Sequence, residues 1–138
     1  MARFFPLSSS ELTLGLPREL LLPVLRGVRQ NVSEIRDALA GVELRMVGGS
    51  ILVIYEGDWA RAKEALKKQE EAGADDEEED EDEEADGKPA IGPLYLVKLI
   101  DFAHAKITPG RGSDEGVLKG LDTVLNLLDG RINTVEQN

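Results

Sequence analysis

The sequence contains no cysteine, which removes disulfide frameworks, thiolate zinc sites and cysteine nucleophiles together. It has a single histidine, His104, so a multi-histidine metal centre is excluded. Any serine–histidine–aspartate triad would depend on that one residue. Long apolar runs are missing too. The longest, Ile51 to Tyr55, falls far short of the ~20 residues that cross a bilayer. The opening Met1-Ala2-Arg3-Phe4-Phe5-Pro6 lacks the apolar stretch of a signal peptide, and Ala2 is incompatible with N-myristoylation. These absences suggest a soluble, intracellular chain. A basic excess is also lacking, with 27 acidic residues against 16 basic ones. The acidic residues are unevenly spread: from Asp75 to Asp86 only Ala85 is uncharged, and the remaining 16 acids balance the 16 bases. The pI of about 4.5 therefore describes one segment, and direct nucleic-acid binding is not expected.

The chain has 138 residues, 41% of them apolar and 31% charged. That is one domain with an ordinary core, shorter than a small kinase or dehydrogenase usually needs. Residues 1–17 read as an irregular lead-in with Phe4-Phe5-Pro6, three serines from Ser8 to Ser10, Gly15 and Pro17. The adjacent phenylalanines need a packing partner that the sequence does not reveal. Leu21, Val24, Leu25, Val28, Val32, Ile35 and Leu39 then follow helical spacing, and Gly41 ends the helix. Pro23 either starts this helix or kinks its first turn.

Val42–Val47 and Ser50–Glu56 are strand-like and flank Gly48-Gly49, which predicts a two-residue hairpin. Ile51-Leu52-Val53-Ile54-Tyr55 has no alternation, which predicts a strand buried on both faces. Asp58 is placed to cap a helix from Trp59 to about Glu71. The acidic run should stay extended and solvated as part of an insert over 72–90. Its Asp82-x-Glu84-x-Asp86-Gly87 spacing resembles a calcium loop, but Pro93 stands where the bidentate glutamate belongs. Leu94–Ile100 reads as a strand that breaks at Asp101. Pro109-Gly110-Arg111-Gly112 leads to Ser113 as the expected cap of a last helix, with Gly130 closing it. The glycines here match neither a dinucleotide fingerprint nor a P-loop, so their expected role is mechanical.

The informative unit is a strand ending in Asp101-Phe102-Ala103-His104. A carboxylate just past a strand lies at a sheet margin, where a divalent ion bridging nucleotide phosphates can meet it. An apolar Phe102 beside it can brace its direction. An aspartate after a strand also serves simply as a turn residue, and a lone histidine as a loop residue.

Two motifs in order favour the chemical alternative. Ser50-Ile51-Leu52, preceded by Gly49, resembles the Ser-Ser-Leu-Leu motif of the inositol polyphosphate kinase family. Ile100-Asp101-Phe102 resembles that family's Ile-Asp-Phe motif. Ala103-His104, Asp114-Glu115-Gly116 and Gly120-Leu121 are similar to its multikinase branch, fungal members in particular. The match runs through residues 18–58 and 94–130. It implies an α+β fold like the large, carboxyl-terminal lobe of these kinases, over residues 18–138 apart from the acidic insert.

The resemblance also implies roles. Asp101 would be the catalytic metal ligand, holding Mg2+ on the phosphates of ATP. Ser50 would lie beside the same phosphates, with Gly49 replacing the motif's first serine. His104 would face the inositol phosphate. Lys106 and Arg111 add charge nearby without belonging to a motif. The implied reaction moves the γ-phosphate of ATP to hydroxyls of inositol tris- and tetrakisphosphate, in the nucleus or cytoplasm.

The family's Pro-x-x-x-Asp-x-Lys-x-Gly signature is absent from these residues, as is the small lobe with its phosphate-pairing lysine. The expectation is a carboxyl-terminal portion carrying half of an active site, weakly active or inactive alone. The alternative is a non-catalytic interaction module that docks basic nuclear proteins through Asp75–Asp86, in a strongly salt-dependent way.

Overall fold

The computed structural model describes residues 1–73 and 91–138. The acidic run, with its proposed docking role, lies outside the described residues. The elements in order are α1 (Arg18–Ala40), β1 (Leu44–Met46), β2 (Ser50–Tyr55), α2 (Trp59–Ala72), β3 (Tyr95–Ile100), β4 (Ala105–Ile107) and α3 (Glu115–Glu136). No helix among the described residues is long and apolar enough to cross a membrane.

The apolar stripe of α1 forms the centre of the core. Leu20, Leu21, Val24, Leu25, Val28 and Val32 are all buried, and they cluster with Leu121, Leu125, Leu128 and Val135 of α3 and with Ala62 and Ala65 of α2. The helix starts at Arg18, so Pro23 neither starts it nor interrupts it. Arg26–Glu136, Arg29–Asp129 and Arg36–Asp122 pair along the two long helices, so α1 and α3 run antiparallel. Gly130 does not close α3. Ile132 and Val135 carry the apolar spacing onward, and Val135 is fully buried, so packing holds the helix through the glycine to Glu136. The cap of α3 is Asp114, not Ser113: its carboxylate accepts from the Val117 amide at 3.2 Å. Asp58 caps α2 as expected, and that helix extends to Ala72, one residue into the anticipated insert.

The lead-in is irregular but packed. Phe5 is buried, and its ring stacks on Tyr55 with centroids 5.3 Å apart. Its carbonyl accepts two hydrogen bonds from Arg131. The aromatic pair thus has a partner inside the chain, which the sequence did not show, whereas Phe4 stays exposed.

The expected hairpin does not form. β1 pairs with β4 and β2 pairs with β3, both antiparallel. A two-residue hairpin of the expected kind needs positive φ at both glycines, and only Gly48 has it, at 74°. The chain bends there and continues in one direction, so residues 44–55 form one interrupted strand against 95–107. The six residues of β2 find six partners in β3, more ladder than the short β1 could offer. Nor is β2 buried on both faces. Ile51, Val53 and Tyr55 turn toward the core, while Ser50, Leu52 and Ile54 turn outward.

Candidate functional site

The residues singled out from the sequence lie at an interruption in the two-stranded ribbon. Leu44–Met46 pair with Ala105–Ile107, and Ser50–Tyr55 pair with Tyr95–Ile100. Between these ladders, residues 47–49 on one strand face residues 101–104 on the other. The extra residue on the second strand has to be absorbed locally, as in a bulge. Asp101 absorbs it with φ of 72°, the only positive φ outside glycine among the described residues. Aspartate tolerates this left-handed conformation better than most side chains. A turn follows at once: the Ala105 amide donates to the Phe102 carbonyl at 3.0 Å, and the Val47 amide to the His104 carbonyl at 3.2 Å.

The three residues singled out from the sequence meet here. Ser50 stands opposite Ile100, so Asp101 is the next residue along the facing strand. His104 lies three positions further, at the far side of the break. All three are exposed. Asp101 makes no hydrogen bond or ion pair with a side chain among the described residues. Phe102 does not brace it from below, because Phe102 is itself 53% exposed. What distinguishes Asp101 is its backbone, with a left-handed φ and a turn directly behind it.

The outward face of the ribbon continues from Ser50. Cross-strand partners share a face, so Ser50 and Ile100, Leu52 and Lys98, and Ile54 and Leu96 form one surface. Every one of these six residues is exposed. It is an apolar strip with a lysine in it, ending at Asp101. The sequence's lack of alternation hid this face, because both of its sides are apolar.

A clamp holds the adjacent glycine loop against β1. The Gly112 amide donates to the Glu43 carboxylate at 2.8 Å, and Arg45 donates to the carbonyls of Arg111 and Gly112, each at 2.8 Å. Gly110 and Gly112 take positive φ to make that loop, the mechanical role expected of them. Arg111 and Lys106 are exposed cations beside it. Asp114 closes the arrangement by accepting the Met46 amide at 3.0 Å. That bond, then the Val117 amide and the nearby Arg45, hold its carboxyl below the usual carboxylate range. Sequence reasoning missed Glu43, Arg45 and Asp114 as a unit. The one available signal was the alternation of Glu43 and Arg45 on a strand, which places both on one side.

A lone exposed carboxylate beside a hydroxyl is too small a donor set for a protein-enclosed metal, and no cluster of three ligating residues occurs among the described residues. It does fit a hard divalent ion held mainly by phosphate oxygens and water, with one or two carboxylates from the protein.

The sequence profile described as "Inositol polyphosphate kinase" matches residues 13–129. The chain belongs to the inositol polyphosphate kinase family. It is 44% identical over 101 residues to the inositol polyphosphate multikinase of Saccharomyces cerevisiae, an alignment covering 62% of this chain and 28% of that protein. Its fold is similar to the crystal structure of the inositol phosphate multikinase Ipk2 of S. cerevisiae in complex with ADP and Mn2+. The TM-score is 0.61 at 28% identity, covering 83% of this chain and 39% of that one. The mixed helix-and-sheet architecture expected from the sequence is therefore that of the family. The chain spans less than two fifths of either relative.

Proposed function

We propose that this chain supplies the metal-binding and phosphate-binding half of an ATP-dependent inositol polyphosphate kinase, which phosphorylates hydroxyls of inositol tris- and tetrakisphosphate. The observation that carries the reading is the break in the ribbon, which sets an exposed Asp101 with a left-handed backbone beside Ser50 at the end of an apolar strip. Membership of the family and a relative solved with ADP and Mn2+ support it.

Each residue then has a task. Asp101 holds Mg2+ against the nucleotide phosphates; the ion, when bound, neutralises charge on the transferring phosphoryl group. Ser50 offers a small hydroxyl beside the same phosphates. The strip of Leu52, Ile54, Leu96 and Ile100 suits the flat apolar face of a purine, with its phosphates directed toward Asp101. His104, across the turn, is placed to donate to a phosphate of the inositol. Catalysis of this kind draws on several positioned charges together, and this chain has no Pro-x-x-x-Asp-x-Lys-x-Gly signature. Alone it binds nucleotide and metal but transfers phosphate weakly or not at all.

Calorimetric titration of the 138-residue chain with ADP or ATP, with and without Mg2+ or Mn2+, tests this. Binding should require the metal and fall by about tenfold or more in Asp101→Asn. Asparagine also tolerates the left-handed backbone, so the variant keeps its fold. Metal-independent binding, or none, would refute the reading and bring forward a non-catalytic interaction module.

A further inference from the structure

We propose that Asp114 is a positioning residue for the metal and phosphate end of the site, acting through Met46 and Gly49 on Ser50. The inference rests on the functional reading above. Capping α3 takes only one carboxylate oxygen, and Oδ1 does it by accepting the Val117 amide. The other, Oδ2, accepts the amide of Met46, the last residue of β1. Backbone bonds join Glu43 to Thr108 and Val47 to His104 across the ribbon. The alternation of an antiparallel pair therefore turns the Met46 amide away from β4, and Asp114 covers that edge donor.

Met46 transmits this anchor to both sides of the break. Its side chain is buried and fills the space at Gly49, where an added Cβ would lie 2.2 Å from the Met46 sulfur. Gly49 leads directly into Ser50. On the other strand Met46 stands opposite Ala105, and its neighbour Val47 bonds the His104 carbonyl. The Glu43–Arg45 clamp brings the glycine loop back so that Asp114 can reach β1 at all. A helix start, a strand end and the phosphate-side turn are thus tied through one carboxylate.

Asp114→Ser separates the two bonds, because serine still caps a helix but is too short to reach Met46. Asp114→Ala removes both. Three readouts apply: thermal unfolding, the backbone amide resonances of Ser50 and Asp101, and affinity for Mn2+·ADP. We expect Asp114→Ser to unfold slightly before the wild type, to shift both resonances, and to bind Mn2+·ADP about tenfold more weakly. Asp114→Ala should add a loss of stability. Unmoved resonances, or unchanged affinity in Asp114→Ser, would overturn the proposal. If Asp114→Ser fails to fold, Asp114→Asn replaces it, because its single acceptor oxygen can serve Val117 or Met46 but not both. If the wild type binds no Mn2+·ADP, the functional reading falls, and the Ser50 and Asp101 resonances alone decide whether Asp114 positions the break.

Discussion

The helix pair and the ribbon are built to opposite specifications. α1 and α3 bury a continuous apolar seam and line its margin with arginine–carboxylate pairs. The ribbon is also rich in aliphatic residues but covers only one of its faces, and its ladder breaks in the middle. The first region can lose a margin contact and keep its shape. The second depends on a few directed bonds at the break. Stability and site geometry are therefore carried by different residues, which variants can show separately.

The largest expected effect lies in the seam. Leu25 is fully buried, and Leu25→Ala should cost about 2–5 kcal/mol in urea unfolding, with Mn2+·ADP affinity of the folded protein unchanged. A matching loss of affinity would break the separation. Gly27→Ala probes the boundary, since its Cβ would lie 2.0 Å from the Tyr95 ring at the start of β3. A cost of about 1–3 kcal/mol is expected, with resonances of β3 displaced along with those of α1. Displacement confined to α1 would show that the two regions tolerate strain independently.

Acid is the next lever. Asp114 is held below its ordinary range chiefly by the Met46 amide, and Glu56 chiefly by the Asp58 amide and then Arg61. For a depressed carboxylate, the stabilisation is complete above the unfolded pKa and disappears as pH falls through the folded one. Both junctions should therefore weaken from about pH 4 downward, and an acid titration of Asp114→Ser should lose part of that dependence. The smallest effect belongs to the helix margin. Arg29→Ala removes a surface pair with Asp129 at 3.0 Å, so it should cost at most about 1 kcal/mol and less in high salt. A larger, salt-independent loss would mean that the margin contributes packing as well as charge.

Asp101, Ser50 and His104 were legible as candidates because short motifs keep their order along the chain. The strand pairing that brings them together was not. The glycine pair between two β-prone runs carries the same local signal whether the chain reverses or merely bends. What decides is the longer ladder available between β2 and β3, from Tyr55 opposite Tyr95 to Ser50 opposite Ile100. The same holds for Gly130, which would end a helix in isolation but lies within one whose next turns are buried. Asp114 was visible as a residue near a helix start, yet its second bond reaches back 68 residues to Met46.

The sequence by itself determined the three helices, the strands that flank the acidic run, the absence of thiol and multi-histidine chemistry, and the family. These depend on local spacing and residue type, which need no knowledge of what lies across the fold. Only the tertiary structure decided which strands pair, which face of β2 stays open, and where the ladder breaks at Asp101. Those outcomes depend on register. One extra residue on the second strand falls where Asp101 takes a left-handed backbone, and no window of sequence shows two distant strands side by side.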